Sequence, residues 1–222
     1  MRELYTQYTD LLKDKSYILA TIFGSIYLAV SLIVNVLASQ YATVRASNYV
    51  TDIILSNTPP YDVNVFFVFG AILMVAFIIF LCLEQPKRIP FALKTIGLFV
   101  MVRSIFITLT HIGPYPNIII IDGFTLRYAQ ELLGVHMVNA LFTGNDLFFS
   151  GHTGLPFLMA FICWENKWLR YAFFFFSGTF AVIVLLGHLH YSIDVFAAFF
   201  ITYSIFIIST KIFHKDYSRI TT

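Results

Sequence analysis

His152, His190 and Asp194 are the residues of this chain whose types and spacing could do chemistry. His152 belongs to the stretch Asn145-Asp146-Leu147-Phe148-Phe149-Ser150-Gly151-His152-Thr153, which opens one apolar run. His190 and Asp194 belong to Gly187-His188-Leu189-His190-Tyr191-Ser192-Ile193-Asp194-Val195, which opens the last one. Asp194 follows His190 by four residues, so a helix puts both on one face within hydrogen-bonding reach. A carboxylate there would fix the imidazole tautomer and stabilise its cation. Ser150-Gly151 at a helix start makes an anion cradle: serine caps the first turn, glycine allows close approach, and the free N–H groups carry partial positive charge. Arg103 lies within an apolar run, where a cation is costly and needs a partner or a wet cavity. Two imidazoles, a carboxylate, a helix N-terminus and a guanidinium at one face suit phosphoryl chemistry. One imidazole attacks phosphorus, the other protonates the leaving alkoxide, and the arginine and helix end hold the charge. Two alternatives stay open on residues alone: a metal site formed by His188, His190, Asp194 and His152, and a buried polar cluster with no catalytic task.

The elements that position these residues are apolar. Of 222 residues 59% are hydrophobic and only 12% charged, against about 25% charged in a soluble domain. Several runs approach the ~20 residues needed to cross a bilayer. The expected fold is therefore all-α: a polytopic integral membrane protein with six transmembrane helices and a polar active site at the extracytoplasmic face. The spans are expected at Tyr17–Leu37, Val63–Leu83, Phe91–Thr110, Leu147–Trp164, Trp168–Gly187 and Tyr191–Phe213. Residues 1–222 form a single membrane domain: an amphipathic cytoplasmic segment over 1–16, a six-span core over 17–213 and a polar cytoplasmic tail over 214–222. Thr125–Phe142 has helical apolar spacing and is expected to form an interfacial or re-entrant helix. Cys82 and Cys163 are expected to be buried packing residues.

Six spans put both termini on one side, and the charges agree. Eleven Lys and Arg residues fall on the side of the termini, while Arg45, Arg103 and Arg127 fall on the other. By the positive-inside rule the termini are cytoplasmic and the histidine-bearing loops extracytoplasmic or lumenal. His152 and His190 are two crossings apart, so both lie at that same face.

The two histidine stretches resemble the third and fourth motifs of the sphingomyelin synthases, within the wider lipid phosphate phosphatase (type 2 phosphatidic acid phosphatase) superfamily. Pro59-Pro60-Tyr61-Asp62 resembles the first motif; Arg103, Thr110 and Pro114-Tyr115-Pro116 resemble the second. The resemblance covers about residues 58–210. Gly144-Asn145 stands where the family has Cys-Gly, and the Lys-x6-Arg-Pro signature of the soluble-headgroup phosphatases is absent from the sequence.

The resemblance implies a metal-independent enzyme without cofactor. It would move phosphocholine or phosphoethanolamine from phosphatidylcholine or phosphatidylethanolamine to ceramide, releasing diacylglycerol, through a phosphohistidine. It implies that His190 is the nucleophile, assisted by Asp194, and that His152 is the proton donor and then acceptor. Substrate binding falls to Arg103, Asp146, Ser150, Gly151, Thr153 and Tyr191. The alternative is a lipid phosphate phosphatase or phospholipase C-like hydrolase, with water as acceptor on the same site. The expected partners are membrane lipids, with no nucleic acid.

Overall fold

A computed structural model describes residues 2–116, 118, 125, 129–131 and 147–221. Among these every regular element is a helix. The helices are α1 (Arg2–Leu11), α2 (Lys15–Arg45), α3 (Asn64–Glu84), α4 (Ile89–Leu109), α5 (Gly151–Ile162), α6 (Lys167–Leu186), α7 (Ser192–Ile212) and α8 (His214–Thr221), with short 3-10 turns at Leu55–Asn57 and Pro86–Arg88. Five stretches are long and apolar enough to cross a membrane: Lys15–Arg45, Asn64–Glu84, Pro86–Leu109, Lys167–Leu186 and Ser192–Ile212.

The helices start where the sequence supplies caps. Asp14 Oδ1 accepts the Ser16 N–H at 2.8 Å, Asn166 Oδ1 accepts those of Trp168 and Leu169, and Ser150 Oγ accepts that of Thr153. Each cap satisfies a first-turn donor that no helical carbonyl can reach.

The fourth expected span differs in the extent of its helix. Leu147–Trp164 is not one helix: α5 begins only at Gly151 and has 12 residues. At 1.5 Å per residue it is about 18 Å long, short of the ~30 Å hydrocarbon thickness. The Leu147 carbonyl is held by the His190 ring and the Phe149 carbonyl by Arg103. Residues 147–150 therefore enter the bundle as a bent strand of chain rather than as a first helical turn. Within the polar tail, residues 214–221 form α8, whose Asp216 is buried. The first span runs on to Arg45, past the expected Leu37. The helix expected over Thr125–Phe142 falls largely outside the described residues.

Long-range polar contacts stitch each end of the bundle. At the end carrying the termini, the Tyr8 hydroxyl donates to Leu83 O (2.7 Å) and that of Tyr17 to Pro86 O (2.9 Å). Arg88 reaches Gln85 and Ile162 O. Lys94 pairs with Asp216 at 2.5 Å and Arg219 with Asp14 at 2.7 Å. The Arg219 hydrogen bond holds the Asp14 carboxyl below its usual range, with burial opposing it. The N- and C-terminal segments thus share one face. At the opposite end, Ser47 donates its N–H and its hydroxyl to His111 O, and the Tyr61 N–H donates to Leu186 O. Arg88 ties the last residue of α5 to the terminal end, and Ser150 ties its start to Asp194 in the first turn of α7.

The core is aromatic, with Phe91, Phe149 and Phe173 fully buried. Phe149 meets Phe99 and Phe106 edge-on, with ring centroids 5.5 and 6.0 Å apart. Gly154 lets α5 touch α4 and α7: a Cβ there would lie 2.8 Å from Thr202 Oγ1 and 2.9 Å from the Phe99 ring. Gly154→Ala is expected to cost about 1–3 kcal/mol through overpacking. A thermal melt in detergent measures it; an unchanged midpoint would mean the three helices separate at no cost.

Candidate active site

The two histidine-bearing stretches meet at the N-terminus of α5. The Ser150 N–H donates to the backbone oxygen of Asp194 at 3.1 Å, so the first turns of α5 and α7 are joined directly. Asp194 is wholly buried. Its Oδ2 accepts the Tyr191 N–H at 3.0 Å and lies 3.2 Å from His190 Nδ1. His190 Nδ1 is also 3.0 Å from the Leu147 carbonyl oxygen. A carbonyl can only accept, so Nδ1 carries the hydrogen and donates it to both oxygens. In the neutral ring the lone pair is then on Nε2. The network thereby assigns the tautomer that a nitrogen nucleophile needs.

His152, the second residue of α5, packs its ring against Phe67 of α3 (centroids 4.4 Å apart) and Phe180 of α6 (5.9 Å). The Ser150–Asp194 hydrogen bond holds the first turns that carry His152 and Asp194 against each other. Arg103 Nε donates to Phe149 O at 2.9 Å and Nη1 to Asn35 Oδ1 at 3.2 Å. A Cβ on Gly151 would sit 3.1 Å from Arg103 Nε, so the missing side chain is what lets the guanidinium lie against the helix N-terminus. Two sources of positive potential, the guanidinium and the helix end, thus converge beside the two imidazoles.

The remaining expected site residues are placed as follows. Ser150 caps α5. Thr153 is buried, and its carbonyl accepts the Ser177 hydroxyl at 2.8 Å. Tyr191 is buried, donates its hydroxyl to Gly113 O at 2.8 Å and accepts the Val50 N–H at 3.3 Å; in this arrangement its hydroxyl binds protein. Asp146 lies outside the described residues. His188 parts company with His190: its φ is +53°, and its Nε2 lies 3.0 Å from Thr58 O. It joins the turn after α6 to the Pro59-Pro60 stretch. Asp62 Oδ1 accepts the Asn64 N–H at the start of α3.

Two residues of the neighbourhood escaped the reading of the sequence. Asn35 is the Arg103 partner, and its signal was an amide in the middle of an apolar run. Asp52 is buried in the loop after α2, and its Oδ2 accepts the Ser192 N–H at 2.7 Å. Nothing local in the sequence ties that aspartate to residue 192.

Residues 143–211 match the family described as PAP2 superfamily C-terminal. The match takes in His152, His190 and Asp194 and supports placing the chain in the PAP2, or lipid phosphate phosphatase, superfamily, whose chemistry is phosphatase or phosphotransferase chemistry on lipids. No curated protein matches the chain.

Proposed function

We propose that this protein transfers a phospholipid head group: it moves phosphocholine or phosphoethanolamine from a glycerophospholipid to ceramide, as a sphingomyelin synthase does. The observation that carries this is the His190 network, in which Nδ1–H is donated to Leu147 O and Asp194 and Nε2 is left with the lone pair. In the first step His190 Nε2 attacks phosphorus. The N–P bond forms as the bond to the diacylglycerol oxygen breaks, and His152 gives that oxygen its proton. In the second step His152 takes the proton of the ceramide primary hydroxyl, whose oxygen attacks phosphorus as the N–P bond breaks. Head group and phosphate travel together, and both histidines return to their starting states. Arg103 and the α5 N-terminus hold the charge on the non-bridging oxygens. With water as acceptor, the same intermediate gives hydrolysis. The superfamily match suits either outcome; the surrounding helices, long and apolar enough to cross a membrane, favour an acceptor hydroxyl carried by a lipid.

The test is to incubate purified protein with fluorescent ceramide and either phosphatidylcholine or phosphatidylethanolamine, then separate the lipids. A labelled phosphosphingolipid formed together with diacylglycerol is the expected result. Diacylglycerol with free phosphocholine or phosphoethanolamine and no labelled product would make the enzyme a hydrolase. No diacylglycerol from any donor would end both readings.

The site is assigned to the extracytoplasmic or lumenal face, and both termini, with six membrane-crossing segments between them, to the cytoplasm. This rests on the eleven basic residues grouped with the termini against three on the other side. A reporter fused after Thr222 should be cytoplasmic, and a cysteine placed within residues 111–116 should be labelled from outside in sealed vesicles. Labelling only after the cytoplasmic face is opened would reverse the orientation.

A further inference from the structure

The helix that carries Asp194 begins with a capping box, in which the Asp194 side chain accepts the Tyr191 N–H, but the N–H at its first helical position finds its acceptor far away in sequence. Its N-cap position is Tyr191, whose hydroxyl is engaged 78 residues away in sequence, at Gly113. The Asp194 side chain turns back to the Tyr191 N–H and the His190 ring. The Ser192 N–H at the first helical position is taken instead by Asp52, 140 residues earlier. The other oxygen of the same carboxylate accepts the N–H groups of Ile54 (2.9 Å) and Leu55 (3.1 Å) and so starts the turn Leu55–Asn57. One buried carboxylate therefore caps two helical segments at once. On either side of it, the Val50 N–H donates to the Tyr191 hydroxyl and the His188 ring meets Thr58 O.

We infer that Asp52 is a positioning residue for the His190–Asp194 pair: by accepting the Ser192 N–H beside the local capping box, it fixes the first turn of α7 and so the direction in which His190 Nε2 points. The inference rests on the phosphotransfer role proposed for His190. A catalytic nitrogen displaced by ~1 Å costs on the order of 10²-fold in rate, and the first turn of a helix is where an uncapped end frays. Burial would raise the Asp52 carboxyl, but hydrogen bonds from the backbone of Leu55, Ser192 and Ile54 outweigh it and hold the group below its usual range. A depressed carboxyl contributes its clamp above its unfolded value and loses it only as pH falls through the lower, folded one. The clamp is thus charged at neutral pH.

Three variants test this: Asp52→Ala, Asp52→Asn and Ser192→Pro. Asparagine keeps a carbonyl oxygen that can accept an N–H. Proline deletes the donated N–H from the other partner, and the first helical position tolerates it; Tyr191, at φ −71° and ψ 156°, already has the backbone that a following proline requires. Two quantities are read: diacylglycerol release per folded, monodisperse protein, and hydrogen exchange of the peptide covering residues 187–195.

The expected result for Asp52→Ala is a kcat lower by about 10–100-fold with KM within about twofold, and faster exchange in that peptide. Asp52→Asn should retain more activity than Asp52→Ala. Asp52→Ala and Ser192→Pro combined should cost no more than either alone, because both remove one interaction. Unchanged kcat per folded protein, a loss confined to KM, additive losses or unchanged exchange would each overturn the inference. If Asp52→Ala does not fold, Asp52→Asn and Ser192→Pro carry the same comparisons. If the wild type releases no diacylglycerol from any donor, the role proposed for His190 fails; exchange over 187–195 then decides the clamp alone, acceleration supporting it and no change sinking it.

Discussion

His190→Ala is expected to abolish both transfer and hydrolysis, on every donor. If His190 Nε2 forms the bond to phosphorus, its loss removes the intermediate common to both outcomes, and no acceptor can compensate. His152→Ala removes only proton transfer, worth typically about 10²–10⁴-fold. Its deficit should therefore depend on the leaving group: large with a natural phospholipid, whose alkoxide needs a proton, and small with a nitrophenyl phosphodiester, whose phenoxide leaves without one. The comparison is of initial rates for the two variants on both donors, with acid-labile phosphate on the protein measured in parallel. If the activated donor rescues His190→Ala and not His152→Ala, the two roles are exchanged. The packing of His152 between Phe67 and Phe180 gives its alanine variant a folding cost as well, so rates are taken per folded molecule.

Asp194→Asn is expected to lower kcat by about 10²–10⁴-fold, the upper figure being the loss when the aspartate of a Ser-His-Asp triad is changed in the same way. Two effects of the carboxylate are separable here. The Leu147 carbonyl, 3.0 Å from His190 Nδ1, holds the tautomer without help from Asp194. What asparagine cannot supply is the negative charge that stabilises the ring once its Nε2 has bonded to phosphorus. The amide oxygen can still accept the Tyr191 N–H that Asp194 accepts at 3.0 Å, so the first turn of α7 should persist. The measurement is a kcat and KM pair together with a melt: kcat falls, KM stays and the midpoint moves little. A loss under about tenfold would mean that the buried carboxylate serves the helix cap rather than the chemistry.

Much of this site could be read from the sequence because its signals are local. A four-residue spacing brought His190 and Asp194 together, and a serine before a glycine marked the start of α5. The length of α5 was hidden for a physical reason. Counting apolar residues makes Leu147–Trp164 a span, but the carbonyls of Leu147 and Phe149 are claimed by His190 and Arg103. Those residues are tied to α7 and α4 ahead of the Ser150 cap, at which the helix starts. Asn35 and Asp52 were missed for the complementary reason: their partners are 68 and 140 residues away, and no local pattern encodes such a pairing. Residues 214–222 showed in the sequence only as a polar tail; the packing of Asp216 of α8 against Lys94, 122 residues away, has no local signal.

The pairings at the site end also set an order of assembly. Asp52 meets Ser192, Val50 meets Tyr191 and Thr58 meets His188, each across at least 130 residues. The entry to α5 closes on Asp194 as well. None of these contacts can form until residues 188–194 have left the ribosome. Throughout synthesis of the preceding helices the chain can hold Arg103 and His152 in the membrane, but it has no assembled centre. Lengthening a chain loop adds little to the entropy of closing it, so waiting for the last pieces to arrive costs little in stability. A growing chain therefore cannot act on the lipids around it before its final apolar helix begins to emerge.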